Sequence, residues 1–335
     1  RFRCDLVNNR HMTKFAKIIL LFLLAVVTGG IYFWYEPISR FGERNTTPGY
    51  VSKDEEYPLI NRSVIDKAGK HFIINFKPLR KDLEEISQKY NHKTYVYFSY
   101  LNNASWVGLN EREDFTAAST LKVPIAMTLL KAVEDGKLKL SDTYTLQELD
   151  LNDGFGELYK IGADEELSVA ELMEIMLKNS DNTALNGILE VFRSIGIERP
   201  LESVYGFLGW EFTQKIPELG ETPDYSKINL KTLSNVFISL YDAKYLSIEH
   251  SSLILEHLSK TEFNERVVTG VPSSVNVSHK IGTDAEENAY SDCGIIYSPN
   301  RHYILCLGSV GAEEESANQF MSEVSKAVYN YGINN

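Results

Sequence analysis

Histidine is scarce and dispersed: the seven residues, at 11, 71, 92, 250, 257, 279 and 302, never fall at ligand spacing, which argues against a metal enzyme. No phosphate-cradling glycine loop occurs, and no repeat period of the kind that builds solenoids is present. Past the first 40 residues, clusters of basic residues are missing too. Beyond residue 40, 28 Lys and Arg face 44 Asp and Glu, a balance of about −16 that disfavours nucleic acid and anionic membrane surfaces as partners. What remains is ordinary globular composition, 43% hydrophobic and 24% charged over 335 residues, enough for a sizeable core.

Charge is absent from one stretch, Ile18 to Tyr35, whose 18 residues approach the lower limit for spanning a bilayer. Arg1, Arg3, Arg10, Lys14 and Lys17 precede it against a single Asp5, so the positive-inside rule keeps the N-terminus cytoplasmic and everything after Glu36 outside. Small residues at Thr28, Gly29 and Gly30 also fit a cleavable signal peptide. The Tyr32–Tyr35 aromatic cluster favours a retained anchor, and no cysteine follows to take a lipid. The expected organisation is a basic cytoplasmic segment 1–17, a transmembrane anchor or signal 18–35, a linker 36–76 and a folded domain 77–335. The linker carries Pro37, Pro48, Gly49 and Pro58 and shows no periodicity until about His71.

Within the domain, Leu79, Leu83 and Ile86 predict an amphipathic helix from Pro78 to near Asn91. The stretch KTYVYFSYLNNASWVGL predicts a β-hairpin, and a helix is expected from near Ser119 to about Asp135, stopped by Gly136. Residues 137–275 read as mostly helical, with amphipathic segments over 168–178, 183–194 and 230–241. Strands return after Asn276, and a last helix spans about 314–331. Strands from both ends can share one antiparallel sheet, with a helical insertion packed at its edge and a cleft between the two parts.

If Pro299 and Asn300 form a two-residue turn, positions summing to 599 pair across the last two strands, and Cys293 and Cys306 satisfy this at a non-hydrogen-bonded pair. They are read either as a disulfide or as two small buried hydrophobes.

Three short segments can carry chemistry. Ser119-Thr120-Leu121-Lys122 sets a hydroxyl and an amine one helical turn apart, where they are expected to hydrogen-bond. A serine needs a base to take its proton, and a lysine serves only when burial or a helix N-terminus depresses its pKa. The amide of Ser119 at a helix start could hold an oxyanion. Ser180-Asp181-Asn182 follows an apolar helix and could aim Ser180 and Asn182 into the same cleft, although Asp181 and Asn182 also suit a helix N-cap. Lys280-Ile281-Gly282-Thr283, preceded by His279, brings a cation, a glycine allowing close backbone approach, and a hydroxyl; its plainer reading is an edge strand.

In this order the three segments resemble the serine–lysine, Ser-Asp-Asn and Lys-Thr-Gly signature of class A β-lactamases and penicillin-binding proteins, over about residues 77–335. The resemblance implies an α/β (α+β) fold of β-lactamase/transpeptidase type: a five-stranded antiparallel sheet flanked by N- and C-terminal helices, plus an all-helical subdomain, preceded here by one transmembrane helix. It implies no cofactor. Ser119 would be acylated, Lys122 would assist proton removal, Ser180 would relay a proton to the leaving nitrogen and Asn182 would contact the substrate amide. Lys280 would supply positive potential and support Ser180, and the amides of Ser119 and Thr283 would form the oxyanion hole beside Gly282.

Two positions depart from that pattern. Ile281 replaces a hydroxyl residue that helps hold a substrate carboxylate, a role Thr283 could take over. Ile216, in Lys215-Ile216-Pro217-Glu218-Leu219-Gly220, stands where the resemblance places the glutamate that activates the deacylating water, and Gly220 stands where its asparagine partner belongs. Isoleucine cannot act as a base. Glu218, Glu221 or Glu211 are candidate substitutes, and Asn186 matches the residue that orients the family's glutamate.

The expected function is an extracytoplasmic, membrane-tethered serine hydrolase, monomeric, acylated at Ser119 by β-lactams and slow to deacylate. The alternatives are a D-alanyl-D-alanine peptidase of penicillin-binding type, and a tethered binding protein that kept the fold and lost turnover.

Overall fold

Alternation of the kind seen in KTYVYFSY puts successive side chains on opposite faces of a sheet, and in this chain both faces are covered. The computed structural model describes residues 75–210, 215–216, 227–299 and 301–334, all within the unit Tyr57–Asn335. The apolar run at 18–35, nearly all of the linker, and Glu211, Glu218, Gly220 and Glu221 lie outside them. No helix among the described residues is long and apolar enough to cross a membrane.

In chain order the elements are α1 (Lys77–Ser87), β1 (Lys93–Tyr100), β2 (Trp106–Leu109), β3 (Phe115–Thr116), α2 (Lys122–Glu134), β4 (Thr143–Thr145), β5 (Glu166–Ser168), α3 (Val169–Lys178), α4 (Asn182–Ser194) and α5 (Glu202–Phe207). There follow β6 (Lys227–Ile228), α6 (Leu230–Tyr241), α7 (Ile248–Ser259), β7 (Val277–Asp284), β8 (Ala289–Ile296), β9 (Tyr303–Val310) and α8 (Glu314–Asn334). Five strands form one antiparallel sheet in the order β2-β1-β9-β8-β7, so the first hairpin and the last three strands meet at the β1–β9 ladder.

Residues of β9 alternate between two cores. Ile304 and Cys306 join the larger one, shared with the helical part through Leu129, Leu177, Ile188 and Phe237. Tyr303, Leu305 and Leu307 join the smaller one, closed by Leu79 and Leu83 of α1 and Phe320 and Val324 of α8. The terminal helices therefore cover one face and the helical subdomain the other.

Several local choices explain the boundaries. Ser168 and Glu171 make a reciprocal capping box that starts α3, Asp181 caps α4 through the Ala184 amide, and Asn229 caps α6 through that of Thr232. The first helix ends at Ser87 rather than near Asn91, because Lys89 and Tyr90 turn back onto the carbonyls of Ile86 and Ser87. Cys293 pairs with Cys306 in the expected register, their Cα atoms 3.9 Å apart, and the two are disulfide-bonded within the larger core.

Candidate active site

Ala118 takes φ +48°, a region that costs energy for any residue with a Cβ, and turns the chain from β3 into a 3₁₀ turn over Ala118–Leu121 that runs on into α2. Ser119 sits in this turn, partly exposed, while Lys122 opens α2 and is only 2% exposed. Burial pushes the Lys122 amine down to about 7, against the opposing pull of Asp181. The expected bond from Lys122 to Ser119 is not made: the amine donates instead to the Ser180 carbonyl and, over 2.7 Å, to Asn182 Oδ1. The α-helix proper begins only at Lys122, so Ser119 and Lys122 belong to different helical geometries and the long side chain crosses to the facing turn.

That turn is itself held firmly. Ser180 has φ +57°, and Asp181 accepts from the Ala184 amide at 2.9 Å and the Leu158 amide at 2.8 Å. The Asn182 amide donates to Phe155 O at 2.9 Å, and Asn182 Nδ2 reaches Asn152 Oδ1 at 3.3 Å. The loop carrying Phe155 is thus stitched to the Ser180–Asn182 turn. Gly156 is required there, since it has φ +93° and a Cβ on it would collide with Asp181. The Ser180 hydroxyl is buried and has no hydrogen-bond partner.

On β7, Lys280 is fully buried, and its amine is held well below the usual lysine range by burial and then by repulsion from Lys122. It donates to Ile281 O at 3.4 Å and lies 5.7 Å from the Phe263 ring centroid, so the expected support of Ser180 by Lys280 is not made. A Cβ on Gly282 would run into the Ala117 carbonyl, which explains the glycine: β7 presses against the backbone just before Ser119. Ile281 and Thr283, two apart on the strand, both line the cleft.

Sequence reasoning missed Arg266. Its guanidinium is buried and donates to Gly282 O at 2.8 Å, Ser291 O at 2.7 Å and Thr283 Oγ1 at 3.0 Å, fixing the end of β7. It sits in an irregular segment with no motif around it, so only coordinates could find it. His279 was visible as the neighbour of Lys280; it hydrogen-bonds Asp292 at 2.8 Å. Burial alone would raise the Asp292 carboxyl, but His279, Arg266 and the Val267 amide together hold it below the usual range.

These elements enclose a cleft of about 170 Å³ lined by Ser119, Gly154, Phe155, Ser180, Asn182, Ile281, Thr283 and Ala285. Of the seven residues singled out from the three sequence segments, Ser119, Ser180, Asn182 and Thr283 line it directly. Lys122, Lys280 and Gly282 do not; they are joined to it through the contacts above. None of the described lining residues is a carboxylate. Ile216 does not line the cleft: its amide donates to Glu198 O at 2.7 Å and its side chain packs on the larger core. Asn186 donates to Asp150 O at 3.0 Å. Among the described residues no group of histidine, cysteine or carboxylate side chains could hold a metal ion.

Comparison with known proteins agrees with this fold. Beta-lactamase VEB-1 of Pseudomonas aeruginosa is 22% identical over 275 residues, 75% of this chain and 89% of VEB-1. The structure of PBP-A matches with a TM-score of 0.70 at 21% identity, covering 77% of this chain and 97% of PBP-A, and a PBP-A mutant is known as an acyl-enzyme complex with penicillin G. An ancestral class A β-lactamase matches with a TM-score of 0.67 at 22% identity, covering 76% of this chain and 99% of its own. The beta-lactamase enzyme family model matches residues 78–332, the same span that supplies the sheet, both cores and every wall of the cleft, and the chain therefore belongs to the beta-lactamase enzyme family.

Proposed function

We propose that this protein is an active-site-serine acyl hydrolase that is acylated at Ser119 by β-lactams or D-alanyl peptides and deacylates slowly, which is penicillin-binding behaviour. One observation carries the reading: Ser119, Ser180, Asn182 and Thr283 share a cleft beside a buried lysine whose pKa is pushed to about 7, and no described lining residue is a carboxylate. A lysine that is substantially neutral at pH 7 can accept a proton; an ordinary one cannot.

In this reading Lys122 takes the Ser119 proton and Oγ attacks the carbonyl carbon. The amides of Ser119 and Thr283 hold the oxyanion, and as the carbon–nitrogen bond breaks the unpartnered Ser180 hydroxyl gives its proton to the leaving nitrogen and takes up the one held by Lys122, which returns to its neutral form. Lys280 and the Thr283 hydroxyl, the latter held by Arg266, answer a substrate carboxylate in place of the hydroxyl that Ile281 lacks. An anion arriving there favours the charged form of Lys280, which in turn helps to keep Lys122 neutral. Ile216 offers no base for the deacylating water.

An extracytoplasmic location is part of the proposal. The Cys293–Cys306 disulfide, a bond that is rare outside oxidising compartments, supports it, as does the charge pattern around residues 18–35. A binding protein without chemistry has less in its favour, since nothing in such a role calls for a buried lysine held near neutrality.

Intact-mass spectrometry after incubation with benzylpenicillin tests the reading. The expected result is one covalent penicillin per chain, persisting long after free drug is removed and missing in Ser119→Ala. No adduct with, and no hydrolysis of, any lactam would sink it.

A further inference from the structure

A second compartment of about 600 Å³ adjoins the serine cleft, with Phe155 as the wall common to both. Its other walls include Phe263, Glu157, Glu262, Asn179 and Asp181. Asn179 and Asp181 flank Ser180 in the chain, and Phe263 is the ring beside Lys280. The compartment therefore lies on the side of the cleft where Ser180 would protonate the leaving nitrogen. Ser180 itself, 1% exposed and with its hydroxyl unpartnered, lines the smaller compartment.

The two compartments differ in chemistry. Behind the smaller one lie the buried amines of Lys122 and Lys280. The larger one carries three carboxylates and two phenyl rings, Phe155 and Phe263, whose centroids are 5.6 Å apart with planes inclined at 47°. Asp181 is not available, since its oxygens are taken by the Leu158 and Ala184 amides. Glu157 is partly committed to Lys160 at 2.6 Å. Glu262 has no ion-pair partner among the described residues. A carboxylate beside aromatic faces, open to solvent, is a setting that recognises an ammonium or other organic cation.

From this we infer that the larger compartment is a subsite for a positively charged arm on the leaving-group side of the substrate, with Glu262 as its counter-charge and Phe155 and Phe263 as its cation–π walls. The inference rests on the reading of Ser119 as an acylated nucleophile and of Ser180 as the donor to the leaving nitrogen. It predicts a substrate that is anionic where it meets Lys280 and Thr283 and cationic a few ångströms further out.

The test uses two cephalosporins with the same thienylacetyl acyl arm, one bearing a pyridiniummethyl group on the leaving-group side and the other an acetoxymethyl group. Second-order acylation of the full chain is followed by intact mass, for wild type and Glu262→Gln. Intrinsic reactivity differs between the compounds but cancels when the cationic-to-neutral rate ratio of wild type is divided by that of the variant. The expected quotient is about fivefold at low salt, shrinking as ionic strength rises, with the neutral compound reacting equally with both proteins. A quotient of one overturns the subsite while leaving the acylation reading intact. If neither compound labels Ser119, the acylation reading fails, and equilibrium titration of the two compounds still decides the subsite: a cationic preference that Glu262→Gln abolishes sustains it, and equal affinities remove it.

Discussion

Lys280 and Cys293 are cross-strand partners on β7 and β8, so the stem of the buried amine and the Cys293–Cys306 bridge project to the same face of the sheet. The bridge is fully buried and closes a short loop, with 13 residues of sequence separation. Replacing both cysteines by alanine is expected to cost about 2–4 kcal/mol of stability in urea unfolding. Acylation should slow a few-fold as the packing around the Lys280 stem loosens. An unchanged unfolding midpoint would show that the bridge contributes nothing beyond two buried hydrophobes.

The Lys122–Asn182 bond gives the second prediction. Lys122 is competent as a base only when neutral, so acylation should rise about tenfold per pH unit below a midpoint near 7 and level off above it. Asn182→Asp places a carboxylate where Oδ1 now accepts from the amine, and an opposite charge favours the protonated form. The midpoint should move to higher pH by about one unit or more. Because Asn182 also stands to touch the substrate, the measured quantity is the position of the acid limb in the pH–rate profile, not the absolute rate. A limb that stays in place would remove Lys122 from the proton transfer.

A third prediction addresses deacylation. Ile216 packs on the larger core and does not line the cleft, so Ile216→Glu should leave the acyl-enzyme lifetime as it is in wild type, whereas a base reaching the acyl bond would shorten it by about a hundredfold. Time-resolved intact mass after removal of free drug separates the two outcomes. A loss of the adduct about a hundredfold faster in this variant would show that residue 216 reaches the acyl bond.

Much of this was legible in advance, for identifiable reasons. The 599 pairing of β8 with β9 follows from turn length and strict alternation, and α6 runs over Leu230–Tyr241 as its apolar periodicity predicts. The convergence of Ser119, Ser180, Asn182 and Thr283 followed from short segments with distinctive chemistry. The failures have a common cause. Whether Lys122 meets Ser119 depends on a 3₁₀ turn entered through a positive φ at Ala118, which the residue type does not announce. Arg266 reaches Thr283 across 17 residues, with no local pattern to mark it. Irregular backbone and long-range polar contacts leave little trace in periodicity.

Gly282→Ala supplies a fourth test. The added methyl would meet the Ala117 carbonyl, a backbone atom that cannot swing aside, so β7 must back away from the turn carrying Ser119. Overpacking of this kind costs about 1–3 kcal/mol. The displaced Thr283 amide should then lower acylation far more than the stability loss explains, as measured on protein that remains folded by circular dichroism. Full acylation in a folded variant would mean that the close approach is structural only.

The last prediction concerns the cost of keeping Lys122 neutral. In the unfolded chain this amine holds its proton up to about 10.5, but in the folded protein burial makes it release the proton near 7. Between those values the unfolded chain binds more protons at this group, so Lys122 should make stability rise with pH across the window and contribute no slope below it. Lys122→Met lacks this ionisable group and should show a shallower slope, the remainder coming from the buried Lys280. At pH 7 the variant should be the more stable by up to a few kcal/mol, offset by about 1 kcal/mol for each hydrogen bond lost to Ser180 O and Asn182 Oδ1. The gap should narrow towards pH 10, where the lysine is neutral in about a quarter of unfolded chains and most of the desolvation penalty has disappeared. Urea unfolding of both proteins from pH 6 to pH 10 measures it directly. A difference that does not vary with pH would place the titration of Lys122 elsewhere, and with it the physical basis for treating this lysine as the base that activates Ser119.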